Sequence, residues 1–194
     1  TITPKGRSRV DTPSQTAHSQ TTVAVAQPAD LMELSTMARN AAKSRLLTEL
    51  KSLSPTAFEC FCSRFLEFLG FNDLVVTRRT GDGGIDGFGN FRQGAVSIKS
   101  AFQAKRWADN SVGRPDIDKL RGAIQGEYDH GVFLTTSKFT REATEASYRK
   151  GAITILLLDG EAIVELMLDR GIGVKKVPIV TYEIDEDFFD FDSE

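Results

Sequence analysis

The sequence predicts an α/β domain with a mixed β-sheet of about five strands flanked by helices. Three observations lead there. Helical and strand patterns follow one another from residue 54 to residue 170 in the order α-β-β-β-α-β-α-β-α. Gln93-Gly94 sits between two strand-like runs and turns them into a hairpin. Two later runs, Gly131 to Thr136 and Ile153 to Leu158, are apolar strands of the buried type, and each is followed by a helix start.

Residues 1–30 are rich in Thr, Ser, Gln and Ala, with scattered Pro and no period, so they are expected to be a disordered linker. Such a linker suits a domain once attached upstream. Residues 31–53 form a connecting helix, with Leu31, Leu34, Met37, Ala41, Leu46, Leu47 and Leu50 at helical spacing. The main domain is expected over 54–180. It opens with Ser54-Pro55, a hydroxyl N-cap followed by proline at the first helical position. Phe58, Phe61, Cys62, Phe65, Leu66 and Leu69 make one stripe, and Gly70 ends the helix. Glu59 lies at the rim of that stripe and Glu67 on the solvated side. Asn72 to Arg79 reads as a strand and leads into Gly81-Asp82-Gly83-Gly84-Ile85-Asp86-Gly87. Phe88 to Phe91 and Val96 to Phe102 then give the hairpin. Pro115 to Gln125 is a helix turning Ile117, Leu120, Ala123 and Ile124 inward. Thr140 caps a helix running to Lys150, and Asp159 caps another over Glu161 to Arg170. An acidic tail occupies 181–194.

The net charge is −3. The average conceals an uneven distribution: seven acidic residues lie between Glu183 and Glu194, and without them the charge is +4. Within the body, Arg78, Arg79, Lys99, Lys105, Arg106, Arg114, Lys119, Arg121, Lys138 and Arg141 bracket the glycine turn. That pattern suits a phosphate-facing side, or else a scatter of solvated charges. There is no apolar run of about 18 residues and no apolar h-region near the start, so neither a membrane span nor a signal peptide is expected. Cys60 and Cys62 are spaced too closely on a helix to form a disulfide, and no second pair completes a zinc site. Both are expected to be buried free thiols in a reducing cytoplasm.

The chemistry concentrates between Thr80 and Trp107. In a strand the side-chain period is two, so Gln103 and Lys105 share one face and Ala104 takes the other. Antiparallel pairing with the preceding strand would bring Asp86 to the same end. A carboxylate, an amide oxygen and an ammonium then surround the place where phosphodiester cleavage needs a hard divalent cation. A P-loop is excluded, because no Gly-Lys-Ser/Thr follows the glycines. An EF-hand loop fails too, with Gly84 at its third position and Gln93 at its twelfth.

Thr80-Gly81-Asp82-Gly83-Gly84-Ile85-Asp86-Gly87, Phe102-Gln103-Ala104-Lys105-Arg106-Trp107, Val112-Gly113-Arg114-Pro115 and the block Gly131 to Thr140 resemble the catalytic domain of Mrr-like type IV, methylation-directed restriction endonucleases. Leu158-Asp159-Gly160-Glu161 and Gly171-Ile172-Gly173-Val174 fit its later blocks, so the similarity runs from about Leu53 to Phe189. The resemblance implies a restriction-endonuclease-like core of the PD-(D/E)xK superfamily. Asp86 matches the catalytic aspartate, Lys105 the lysine and Glu59 the acidic residue of the first core helix. Gln103 stands where the wider superfamily carries Asp or Glu, a departure that Mrr-like enzymes share.

The expected activity is hydrolysis of double-stranded, methylated DNA by a Mg²⁺-dependent endonuclease, with Mn²⁺ as a substitute ion. Asp86, Gln103 and Glu59 are the metal ligands expected, although Glu59 also reads as a first-turn carboxylate favoured by the helix dipole. Arg106, Arg114, Thr136, Ser137 and Lys138 are candidate DNA contacts; the last three read equally well as a polar connection. His18 and His130 receive no role. Two alternatives stand beside this one: a junction-resolving or repair nuclease, and a non-catalytic DNA-binding module derived from such an enzyme. A homo-oligomer is expected if both strands are cut. The resemblance places base specificity in a separate N-terminal winged-helix domain.

Overall fold

A computed structural model describes residues 28–77, 84–180, 182 and 184–191. Ten residues at most separate one regular element from the next up to Arg170, and the expected order is the observed one. After α1 (Pro28–Ser52) come α2 (Pro55–Phe68), β1 (Phe71–Val76), β2 (Gly87–Gln93), β3 (Val96–Lys105), α3 (Arg114–Ile124), β4 (His130–Thr135), α4 (Arg141–Ser147), β5 (Ile155–Leu158) and α5 (Gly160–Arg170).

The five strands lie in the sheet in chain order. β1, β2 and β3 are antiparallel neighbours, whereas β3, β4 and β5 run parallel. The chemistry of the connections explains the change. Gly94, at φ +59, makes the tight β2–β3 turn. The next two connections each contain a helix, the crossover that parallel strands require.

Alternation along β3 and β4 builds two cores, one on each face. Phe102, Ala104, Val132 and Leu134 pack with Leu50 of α1, Phe58, Cys62, Phe65 and Leu66 of α2, and Ile163, Val164 and Met167 of α5. Their sequence neighbours Ala101 and Phe133 point to the other face, against Ile117, Leu120 and Ile124 of α3 and Ala143 and Ala146 of α4. Each fully buried large side chain contributes roughly 1.5–3 kcal/mol.

Helix ends follow the local signals. Ser54, Thr140 and Asp159 accept from the backbone N–H of Ala57, Ala143 and Ala162, and Gly171 closes α5 at φ +71. α4 stops at Ser147, short of the expected Lys150. The carboxy-terminal half of α1 belongs to the core through Leu46, Leu47 and Leu50. Arg39 and Lys43 tie it to Glu165 of α5, with Arg39 also 2.8 Å from Asp169. Met32, Leu34 and Met37 in its first half are exposed.

The cysteine expectation needs correction. Cys62 is buried, but Cys60 is exposed. Two helical positions stand about 200° apart on the wheel, so one thiol faces the core and the other faces solvent. Of the linker expected over 1–30, residues 28–30 instead open α1, and residues 1–27 lie outside the described residues, as do Arg78, Arg79 and Asp82. In the tail, Phe188, Phe189 and Phe191 are exposed, and Phe188 meets the other two edge-on.

Candidate active site

Asp86, the residue before β2, lies against Phe102 and Ala104 near the carboxy-terminal end of β3. Gly87 pairs with Phe102, and the Asp86 N–H donates to the Phe102 carbonyl at 2.9 Å. Ala104 N–H then donates to Asp86 Oδ2 at 2.8 Å. The carboxylate is therefore fixed to the backbone of the residue that separates Gln103 from Lys105. Gly87 permits this approach: a Cβ there would sit 2.4 Å from the Phe102 ring and 2.6 Å from the Val75 carbonyl.

Gln103 is buried, opposite Phe133 of β4. Its Oε1 atom has no hydrogen-bond partner among the described residues, a costly state for a buried acceptor. Gly84, at φ +111, runs close over the amide, with its Cβ position 2.8 Å from Gln103 Nε2. Lys105 shares the Gln103 face. Its ammonium forms an ion pair with Asp116 of α3, the two side chains being only 24% and 23% exposed. It also lies 4.7 Å from the Trp107 ring centroid.

Glu59 comes from α2, on the opposite face of the sheet, and is half-buried. Burial pushes the Cys62 thiol well above its ordinary pKa, and the charges of Asp86 and Glu59 push it further the same way. Both carboxylates thus disfavour the thiolate of one buried sulfur. Among the described residues no three His, Cys, Asp or Glu side chains gather as a metal cage. A cation here needs the Gln103 amide oxygen, backbone carbonyls or water beside the carboxylates. Gln103 Oε1, buried and unsatisfied, fits that requirement.

Residues 50–167 match the Mrr_cat restriction endonuclease family. The chain belongs to the Mrr_cat family. It is 36% identical over 157 residues to the type IV methyl-directed restriction enzyme EcoKMrr of Escherichia coli (strain K12), covering 78% of this chain and 50% of that one. Among solved structures, the DNA modification-dependent restriction endonuclease AspBHI matches with a TM-score of 0.58 and 26% identity, over 69% of this chain and 37% of that one. This Mrr_cat chain therefore spans about half the length of the curated relative it matches, and its mixed sheet with flanking helices is the restriction-endonuclease-like fold.

The candidate DNA contacts of this Mrr_cat domain divide by exposure. Arg106 Nη1 donates to the Lys51 carbonyl at 3.0 Å, closing the end of α1 against β3. Thr136 is buried and its hydroxyl donates to the Trp107 carbonyl at 2.7 Å. Arg114 is exposed and pairs with Asp118 at 3.1 Å. Lys138 is also exposed, 3.5 Å from Glu161. Thr136, Ser137 and Lys138 line a cleft of about 200 Å³ together with Lys51, Ser111 and Gly160. Of the wider basic set, Lys99 pairs with Glu127 at the opposite end of β3, and Arg121 is held inward by Asp118 and the Ile153 carbonyl. Sequence reasoning passed over Asp116. Its one local signal was an acid at the third position of a helix opened by Gly113, which capping alone explains.

Proposed function

We propose that the chain is the catalytic portion of an endonuclease that hydrolyses phosphodiester bonds in double-stranded DNA with Mg²⁺, or Mn²⁺ in its place, and that its target is methylated DNA. The observation that carries this reading is the buried, unsatisfied Gln103 Oε1 on the β3 face that also carries Lys105, with the Asp86 carboxylate hydrogen-bonded to the backbone N–H of Ala104 between them. Methylated DNA as the target is supported by the descriptions of the two relatives, one methyl-directed and one modification-dependent.

Asp86 and Gln103 would hold the divalent ion, with Glu59 of α2 as a further carboxylate. The ion supplies Lewis acidity and a more acidic coordinated water. The chain supplies positioning. Ala104 N–H holds the Asp86 carboxylate at the strand, and Gly84, lacking a Cβ, leaves the Gln103 amide the space it occupies. Lys105 offsets charge on the phosphate as the attacking oxygen adds and the leaving oxygen departs. Arg114, Ser137 and Lys138 provide backbone contacts to DNA that carry no sequence information. Cutting both strands takes two such sites, which favours a homo-oligomer. The cytoplasm is the proposed place of action, in keeping with two free cysteines.

The test is cleavage of matched methylated and unmethylated plasmids with Mg²⁺, with and without chelator, with Asp86→Ala as control. Expected is chelator-sensitive cutting of the methylated plasmid, absent from Asp86→Ala. Equal cutting of both plasmids with preference for branched DNA would replace methyl-directed restriction by junction resolution. Chelator-insensitive DNA binding without product under any divalent ion would remove the enzyme reading.

A further inference from the structure

We propose that Asp116 is a positioning residue for DNA cleavage, holding the Lys105 ammonium where the phosphate is attacked. This rests on the role of Lys105 proposed above.

A lysine side chain is a point charge on a flexible stem, and a strand fixes only its backbone. At Lys105 the backbone is fixed first. Lys105 pairs with Thr135 in the β3–β4 register, and the buried Thr135 hydroxyl donates to the Lys105 carbonyl at 2.8 Å. The far end is fixed separately, by the Asp116 carboxylate and the Trp107 ring face. The two ends of the side chain are held by different elements, which leaves few places for the ammonium to go.

Asp116 has the right build for this. Its Oδ2 accepts the Gly113 N–H at 3.2 Å, and its Oδ1 receives Lys105. Capping α3 engages one oxygen; the pair with Lys105 engages the other. The entrance to α3 is itself anchored. Val112 N–H donates to the Lys138 carbonyl and Thr140 N–H to the Val112 carbonyl, each at 2.9 Å. The carboxylate therefore stands on a braced helix start. A misplacement of about 1 Å costs a catalytic group roughly 100-fold in rate, so loss of the pair should appear in the chemical step.

The experiment compares wild type, Asp116→Asn, Asp116→Glu and Lys105→Ala in single-turnover cleavage with saturating Mg²⁺, alongside DNA affinity and thermal melting. An Asn carbonyl still accepts from Gly113, so Asp116→Asn removes the ion pair and leaves the cap. Expected is a cleavage rate lower by about 10- to 100-fold at nearly unchanged affinity, with partial recovery in Asp116→Glu. A rate within twofold of wild type in folded Asp116→Asn overturns the proposal, as does a rate loss that only tracks lost folding or lost affinity. A second measurement uses the wild-type protein alone. Lys105 should acylate more slowly than the exposed Lys119 when labelled and read by mass spectrometry, and equal reactivity overturns the pairing. If Lys105→Ala cuts at the wild-type rate, the Lys105 reading itself falls; if Lys105→Ala is inactive while Asp116→Asn is normal, only this inference falls.

Discussion

Gly84→Ala probes the site without removing any proposed ligand. The residue has φ +111, outside the range that side-chain-bearing residues adopt readily. Forcing alanine there costs roughly 1–3 kcal/mol, which for a domain of this size lowers Tm by about 2–12 °C. The new methyl also begins 2.8 Å from Gln103 Nε2, when carbon-type contacts settle near about 3.5 Å. The amide must retreat by several tenths of an ångström or rotate, and Gln103 is buried, with little room to do either. Since about 1 Å of misplacement costs roughly 100-fold, cleavage should fall by about 10- to 100-fold at a temperature where the variant is folded. Gly94→Ala separates strain from contact. Gly94 also has positive φ, at +59, but its Cβ position meets nothing within 4 Å. It should lower Tm and leave single-turnover cleavage unchanged. Gly84→Ala cutting within twofold of wild type while folded would refute the claim that the Gln103 amide needs the space a glycine leaves here.

Two further outcomes test the surroundings. A thiol reagent should label Cys60 rapidly in the native protein and Cys62 only after denaturant, because Cys62 is buried and its thiolate is disfavoured; rapid labelling of both would show that the α2 face is not closed. The hydrogen bonds from Lys43, then Arg39, hold the Glu165 carboxyl below its ordinary pKa of 4.5. A folded-state pKa below the unfolded one stabilises above the unfolded value and loses that contribution as pH falls through the folded value. Glu165→Gln should therefore melt lower than wild type near neutrality, with the two curves converging as pH drops below about 4.5. The pair is part-exposed, so the difference should be small and should shrink with salt; a gap that persists at low pH would refute it.

Features set by a few consecutive residues are legible in the chain alone. Ser54, Thr140 and Asp159 announce helix starts because each side chain satisfies an N–H three residues away. The Gln93-Gly94 hairpin and the alternation of β3 likewise depend on neighbours, so the shared face of Gln103 and Lys105 was legible, as was the order of elements. The family followed from motif blocks spread over most of the chain. Boundaries were less legible, as in the stop of α4 at Ser147, where Tyr148 already has extended backbone.

Which distant groups meet is settled only once the chain is folded. Lys105 finds its carboxylate on α3, across a loop whose course is set by the Val112–Phe139 bridge. Arg106, which reads as a phosphate contact, spends a guanidinium nitrogen on the end of α1, 55 residues earlier. Thr136 turns its hydroxyl inward to the Trp107 carbonyl. The physical reason is common to all three. Periodicity and capping are short-range and repeat along the chain, whereas the partner of a charged or hydroxyl side chain depends on which segment the hydrophobic cores bring beside it.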